Sequence, residues 1–197
     1  MYAARDFAAG ETVMSFRLRP IDEREYRELP AGEDLFVHSY GGHRYLYPEP
    51  ARFVNHADDP SCAQDFDRQR HLALRPIAAG EPITIDARLE TARELDTYLE
   101  AFRRAAADRS ATSLLALVDS DATLWRAGRP HRGRESIVEA LLAGEPLQPT
   151  ALDWQVGTGR WEALCSAAIE TPTGPGHLTL LLKIIAGNWQ LRYLHHD

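Results

Sequence analysis

The sequence is poor in lysine and cysteine and has no long apolar run, and each shortage excludes a class of protein. It contains one lysine, Lys183, against 21 arginines. The two cysteines, Cys62 and Cys165, form no CxxC pair, so neither a disulfide framework nor a cysteine-based zinc site is predicted. No apolar run approaches the ~20 residues that span a bilayer, and no basic-then-apolar signal segment is present. We therefore expect a cytoplasmic protein without a membrane partner.

A basic surface stripe is also absent. The formal net charge is -7 at pH 7, and charges of both signs are interleaved along the chain. A nucleic-acid-binding protein concentrates positive charge on one face, so we expect no nucleic-acid partner. With 197 residues, 44% of them hydrophobic, the chain can bury one large core or two small ones.

The sequence pattern changes near residue 90, which predicts two domains, 1–90 and 91–197. The first half has short alternating segments cut by proline and glycine, which predict strands: ETVMSF, RYLY, RFVN, HLALRPI and EPITIDA. Thr91 and Glu94 have the spacing of a capping box, which predicts that a long helix begins there. Two shorter helices follow, at SLLALV and RESIVEALL, and the last 45 or so residues predict an antiparallel meander.

Two stretches of the first half resemble each other. AARDFAAGETV at 3–13 and ALRPIAAGEPI at 73–83 share alanine, arginine, the Ala-Ala-Gly-Glu core and a branched aliphatic residue. A solenoid needs at least three copies at a shorter period. We interpret the pair as two strand-entry turns that use Gly-Glu alike.

Three segments of the first half occur in the order found in the SET domain of protein lysine methyltransferases. They are the AARDFAAGE entry, RFVNH at 52–56 and RPIAAGEPITID at 75–86. Residues 1–90 thus resemble that β-rich fold, and RFVNH is the most specific match. The resemblance implies that S-adenosylmethionine binds beside Arg52, Phe53, Asn55 and His56. The other interpretation is that Asn55 and His56 cap a turn.

The first half also departs from the SET pattern. The family has a Gly-x-Gly before the entry segment, and this chain begins just after the corresponding point. The family carries a tyrosine after the GEE strand, whose hydroxyl helps to orient the amine and the methyl group, and here that position is Ala87. Tyr45 and Tyr47 are weak candidates to replace it. Because methyl transfer depends on positioning, we expect a reduced SET-like domain whose catalytic residue is unknown.

The second half resembles the cone-shaped fold of nuclear transport factor 2, SnoaL-type polyketide cyclases and ketosteroid isomerase. A long helix, two short ones, DATLWRAGRPHRGRESIVEAL and the closing GNWQLRYLHH carry this resemblance. It implies three helices packed on a curved antiparallel sheet around a pocket. The apolar segments SAAIE and LLLKII of that sheet predict a homodimer, or packing against the SET-like half. Phe102 and Arg126 fall where ketosteroid isomerases carry a tyrosine and an aspartate, so that reaction is excluded.

Aromatic and titratable residues on the predicted helix and strands are candidates to line a pocket in the cone: Tyr98, Phe102, Trp125, Trp154, Lys183 and His195. Lys183 interrupts an apolar strand, HLTLLLKII. If it pointed inward, it would need an acidic partner such as Asp153 or Glu162, or it would lose its proton. If its head reached water, it would have no pocket role. No metal site is expected, since the adjacent histidines of LHHD point to opposite faces of a strand.

The predicted fold is therefore α+β, a β-rich SET-like domain followed by a cone-shaped domain. Three functions remain open. The chain is an S-adenosylmethionine-dependent methyltransferase acting on a protein lysine, or a non-catalytic protein that binds a small-molecule ligand or dimerises and carries a relic SET domain. The third is a cyclase-like or isomerase-like enzyme that uses the cone pocket. Whether the chain is an enzyme is left open.

Overall fold

The computed structural model describes residues 1–144, 155–158, 162–171 and 174–196. It divides into two compact units. The first comprises Met1–His38 and His43–Glu94, and the second comprises Ser39–Gly42 and the chain from Leu95 onward. The mixed α+β class predicted from the sequence is confirmed. The predicted domain boundary at residue 90 stays a prediction.

The first unit is built from short strands, a short helix α1 (Glu23–Arg27) and two 3₁₀ turns. The strands form three small sheets in the orders β1-β7-β6, β2-β4-β3 and β5-β8, and the last pair is parallel. Their bounds are β1 Thr12–Ser15, β2 Arg19–Ile21, β3 Val37–Tyr40, β4 His43–Leu46, β5 Asn55–His56, β6 Cys62–Asp65, β7 Arg70–Ala73 and β8 Thr84–Ile85. A small apolar core lies beneath them: Ala3, Phe7, Cys62, Ala73, Ile77, Ile83 and Ile85.

The two similar stretches fold alike and pair with each other. Glu11 binds the Arg5 guanidinium at 2.7 Å and accepts the Ala8 N–H at 2.9 Å. The second copy repeats this arrangement, with Glu81 bound by Arg75 at 2.5 Å and by the Ala78 N–H at 3.0 Å. Antiparallel bridges join the copies at Tyr2↔Pro82 and Phe7↔Ile77. The interpretation as two equivalent strand-entry turns is confirmed.

Two local predictions in the first half were wrong. RFVN was predicted as a strand, but Ala51–Phe53 is a 3₁₀ turn closed by the Val54 N–H donating to the Ala51 carbonyl, and only β5 follows it. The long helix α2 spans Ala87–Ala107 and begins four residues before the predicted start. Asp86 precedes it, and its Oδ1 accepts the Arg88 N–H at 3.0 Å as an N-cap residue does.

The second unit packs helices on a six-stranded sheet. The helices after α2 are α3 (Ala111–Leu117) and α4 (Arg134–Ala143), and the strand order is β10-β9-β14-β13-β12-β11. Strands β11 to β14 form the predicted antiparallel meander, but β14 pairs with β9 in parallel, so the sheet is mixed. The strand bounds are β9 Val118–Arg126, β10 Arg129–Arg132, β11 Gln155–Thr158, β12 Glu162–Thr171, β13 Gly174–Ile185 and β14 Asn188–His196.

One face of this sheet is buried against the helices, and the other is open. Alternate residues of β13, Leu178, Leu180 and Leu182, point into the core with Leu114 and Ile137. This period of two is what a half-buried strand requires. None of the helices in the described part of the chain is long and apolar enough to cross a membrane.

Candidate functional site

The Asn-His pair predicted to bind a cofactor lies on the surface of the first unit. Asn55 and His56 form β5, which runs parallel to β8, with Asn55 opposite Thr84 and His56 opposite Ile85. Both residues are exposed. The Asn55 side chain makes no hydrogen bond to any described residue, so its amide is available to a ligand.

His56 connects β5 to the start of α2. Its Nδ1 accepts the Ala87 N–H at 3.2 Å. In the neutral ring the proton is therefore on Nε2, which lies 3.6 Å from Asp58 Oδ1. Its Nδ1 also lies 3.6 Å from Asp86 Oδ1. The ring thus satisfies one of the free N–H groups at a helix N-terminus, a structural use of the residue that leaves only Nε2 for a ligand.

Ala87, at the family's tyrosine position, is the first residue of α2. Its backbone N–H is engaged by His56, and its side chain is a methyl group. Two carboxylates flank this helix start, because Arg88 bridges Asp86 and Asp58. The Arg88 hydrogen bond is the main cause of a lowered pKa of Asp86. Because residue 87 is alanine, it cannot supply the hydroxyl that the family's tyrosine provides.

Neither of the two candidate tyrosines, Tyr45 in β4 and Tyr47 just after it, lies on β5. Tyr47 is buried, with its ring 5.3 Å from Phe16 and 4.8 Å from His38 between ring centroids. Tyr45 is half-buried in β4 and lies opposite Pro20. Tyr47 is therefore a core aromatic, whereas Tyr45 keeps an accessible part.

Arg52 and Phe53 form an ion-pair and aromatic cluster of their own. The Arg52 guanidinium binds Glu33 at 2.5 Å, also binds Glu49, and lies 4.9 Å from the Phe36 ring and 5.1 Å from the Phe53 ring. Its charge is thus compensated within the unit, whereas Phe53 remains 47% exposed.

The residues present fit part of an S-adenosylmethionine site. The free amide of Asn55, the Nε2 of His56 and the exposed Phe53 ring are a polar and aromatic set suited to hold such a ligand. The part that would orient an amine for transfer does not fit, because Ala87 has no hydroxyl. Within the described residues no three His, Cys, Asp or Glu side chains are grouped as a metal ion would require.

The structure does not bring the predicted pocket residues of the second unit together. Tyr98 and Phe102 are buried in the core, and the Tyr98 hydroxyl donates to the Leu117 carbonyl at 2.7 Å. Trp125 and His195 are neighbours on the open face of the sheet. Lys183 lies on that face too, 43% exposed and 3.5 Å from Glu162. Trp154 and Asp153 lie outside the described residues.

Two polar clusters of the first unit escaped the sequence analysis. His38 Nδ1 lies 3.1 Å from Glu94 and 3.7 Å from Glu90, two buried carboxylates on α2. Gln64 and His71 face each other across β6 and β7, and the polar atoms of both side chains are buried without a partner among the described residues. No local pattern marks either cluster. His38 and Glu94 are far apart in sequence, and Gln64 and His71 meet only because β6 pairs with β7.

The comparisons with known proteins cover the two halves separately. Residues 1–86 match the model of the SET domain family. No curated protein matches the chain in sequence. One similar solved structure is a protein from Sphaerobacter thermophilus. It is 16% identical over 52% of this chain and 93% of that chain, with a TM-score of 0.42. A candidate ketosteroid isomerase from Shewanella frigidimarina is 14% identical over 50% of this chain and 90% of that chain, with a TM-score of 0.41. The association domain of C. elegans CaMKII is 14% identical over 54% of this chain and 95% of that chain, with a TM-score of 0.44.

With TM-scores below 0.5, these likenesses support no conclusion about what the chain does. The helices and the sheet of the second unit have the element order predicted for a cone-shaped domain. Residues 1–86 are thus similar to the SET domain family, and the solved structures similar to this chain include a candidate ketosteroid isomerase and a designed nuclear transport factor 2-like protein.

Proposed function

We propose that this chain is a binding protein, in which the SET domain holds S-adenosylmethionine or its product without transferring the methyl group, and the cone domain forms a homodimer. The observation that carries the first part is the start of α2, where Ala87 replaces the family's tyrosine and its N–H is bound by His56. Methyl transfer to an amine needs the amine to be held in line with the sulfonium methyl. A methyl side chain cannot contribute a hydrogen bond to that alignment.

The cofactor part rests on Asn55, whose exposed amide has no partner among the described residues. Adding S-adenosylhomocysteine should raise the melting temperature, because ligand at 100 times its Kd adds about 2.7 kcal/mol of stability. Asn55→Ala should reduce this shift, and Asp34→Ala, at an exposed position outside the strand pair, should leave it intact. The absence of a shift at millimolar ligand would remove the cofactor from the proposal.

A second candidate function is protein lysine methylation, which the family match favours. In that case Tyr45 would provide the hydroxyl. Radiolabelled S-adenosylmethionine and poly-lysine distinguish the two functions. We expect no labelling by the wild-type chain, a gain of labelling in Ala87→Tyr, and none in Ala87→Phe, which adds the ring without the hydroxyl. Labelling by the wild type that Tyr45→Phe abolishes would establish the second function instead.

The dimer part rests on the open face of the six-stranded sheet. Leu164, Leu181 and Tyr193 are adjacent across β12, β13 and β14. Leu164 is 52% exposed, and Trp125 on β9 is 41% exposed. The Lys183–Glu162 pair at one side of this face carries one positive and one negative charge. In a twofold dimer each copy presents the same pair, so the lysine of one copy can meet the glutamate of the other. An apolar face of this kind is a common site of protein association.

A further inference from the structure

A groove lies between α3 and α4 on the helical side of the second unit, away from the open sheet face. It is shallow and open to solvent, with a volume of about 450 Å³. Its lining is mostly aliphatic, with two glutamates at the rim: Ala111, Leu115, Glu135, Val138, Glu139, Leu142 and Ala143. Val138 is buried and forms the floor, whereas Leu115 and Leu142 are half-buried walls.

The two rim glutamates are not neutralised by the described part of the chain. Glu135 and Glu139 are exposed and one helical turn apart, a spacing at which like charges repel. No basic side chain of the described residues pairs with either. The arginines of this region donate to backbone carbonyls instead: Arg134 to Val118 at 2.6 Å, Arg126 to Ala140 at 2.8 Å and Arg109 to Gly144 at 3.2 Å.

An aliphatic groove with an uncompensated acidic rim selects its occupant by charge. Anionic lipid surfaces and nucleic acids are repelled by the glutamates. Residues 145–154, which follow α4 in the sequence, contain no lysine, arginine or histidine to match the rim. A second copy of the chain is a poorer match for a helical occupant, because the arginines of α1 and α2 pair with carboxylates of their own chain, and the exposed Arg129 and Arg132 lie on the strand β10.

We propose that this groove docks an amphipathic helix of a partner protein that presents leucine-like side chains flanked by lysine or arginine. Aliphatic side chains would enter between Leu115 and Leu142, and cations one turn apart would meet Glu135 and Glu139. This is the helix-in-groove mode of recognition, in which anchors at i, i+3, i+4 and i+7 supply the buried area. The surface is formed by α3 and α4 and does not include the open face of the sheet.

The probe is a fluorescein-labelled 14-residue peptide with leucines at i, i+3, i+4 and i+7 and lysines elsewhere. Fluorescence anisotropy should show saturable binding to the wild-type chain that weakens as salt is added. The double variant Glu135→Lys/Glu139→Lys should raise Kd at least tenfold. The control Asp34→Lys/Asp96→Lys makes the same change of net charge at exposed positions outside the groove and should change Kd less than twofold.

A second variant tests the apolar part with the charges left in place. Leu115→Asn should weaken binding severalfold, with folding verified by circular dichroism for every variant. The proposal is overturned by equal effects of the two double variants, by equal binding of a peptide with glutamate in place of lysine, or by no binding at millimolar peptide. It is also overturned if the groove variant dissociates a dimer, which would make a second copy the occupant, or if vesicles of anionic lipid bind the wild type more tightly than the peptide does.

Discussion

At the scale of single residues, the first unit contains a half-buried histidine, His38, and a fully buried one, His71, whose environments shift the pKa in opposite directions. Burial lowers the pKa of His38, but the hydrogen bond to Glu94 and the charges of Glu90 and Glu94 outweigh it, so the pKa is raised above its ordinary value. His71 has no such partner, and burial alone lowers its pKa to about 4. His38 therefore favours the folded state when protonated, whereas His71 favours it when neutral.

We expect His71→Leu to make the protein more resistant to acid. The folded state keeps His71 neutral down to about pH 4, whereas the unfolded chain takes up a proton near the ordinary value of 6.5. Acid therefore favours unfolding, and stability falls as the pH drops from 6.5 towards 4. The difference in free energy of unfolding between the variant and the wild type should therefore shift by about 2 kcal/mol in favour of the variant when the pH is lowered from 8 to 5.

Urea denaturation at the two pH values measures this gain. His177→Gln, at an exposed position of β13, is the control and should show no such pH dependence. A His71→Leu effect of equal size at both pH values would show that the buried imidazole does not titrate as described.

At the scale of elements, the start of α2 decides how the strands β5 and β8 are joined to the helix. Asp86→Ala should lower the urea midpoint, because the Arg88 N–H loses its side-chain acceptor. Thr91→Ala should change stability little, since Thr91 lies inside the helix and alanine is a better helix former. Urea midpoints of the two variants measure the difference. A larger loss from Thr91→Ala would place the helix start where the capping-box pattern predicted it.

Strand β13 supplies a second element-scale prediction, through its single lysine. Lys183 is 43% exposed and pairs with Glu162 at 3.5 Å on the open face of the sheet. Lys183→Met should therefore change the free energy of unfolding by less than about 0.5 kcal/mol, as expected for an exposed ion pair. Thermal denaturation tests this. A gain of 1 to 3 kcal/mol would instead indicate an unpaired buried charge of the kind the pocket hypothesis required.

At the scale of the whole molecule, the open sheet face should hold two copies together. Leu164→Arg should convert a homodimer into a monomer, because it places a charge within the apolar face at one of its most exposed leucines. Leu74→Arg is the matched control, since Leu74 is 55% exposed in the SET domain and outside this face. Light scattering after size exclusion gives the mass of each. A monomeric wild type, or dimers in both variants, would contradict the assignment of this face.

The sequence by itself determined what depends on neighbours along the chain. Alternation and turn residues marked β1, β7 and the closing meander, and apolar spacing marked α3 and α4. The two Gly-Glu turns could be recognised as equivalent because each uses its own arginine, alanine N–H and glutamate within a few residues. The RFVNH segment marked the SET domain because its five residues are contiguous.

Only the tertiary structure decided which partner each of these groups meets. His56 binds the N–H of Ala87, and β14 joins β9 in parallel, because packing brings together segments that no local period relates. The helix α2 starts at Ala87 for the same reason, since Asp86 and His56 together satisfy its first N–H groups. Lys183 could have pointed to either face of β13, and the core formed by Leu180 and Leu182 placed it on the side open to water.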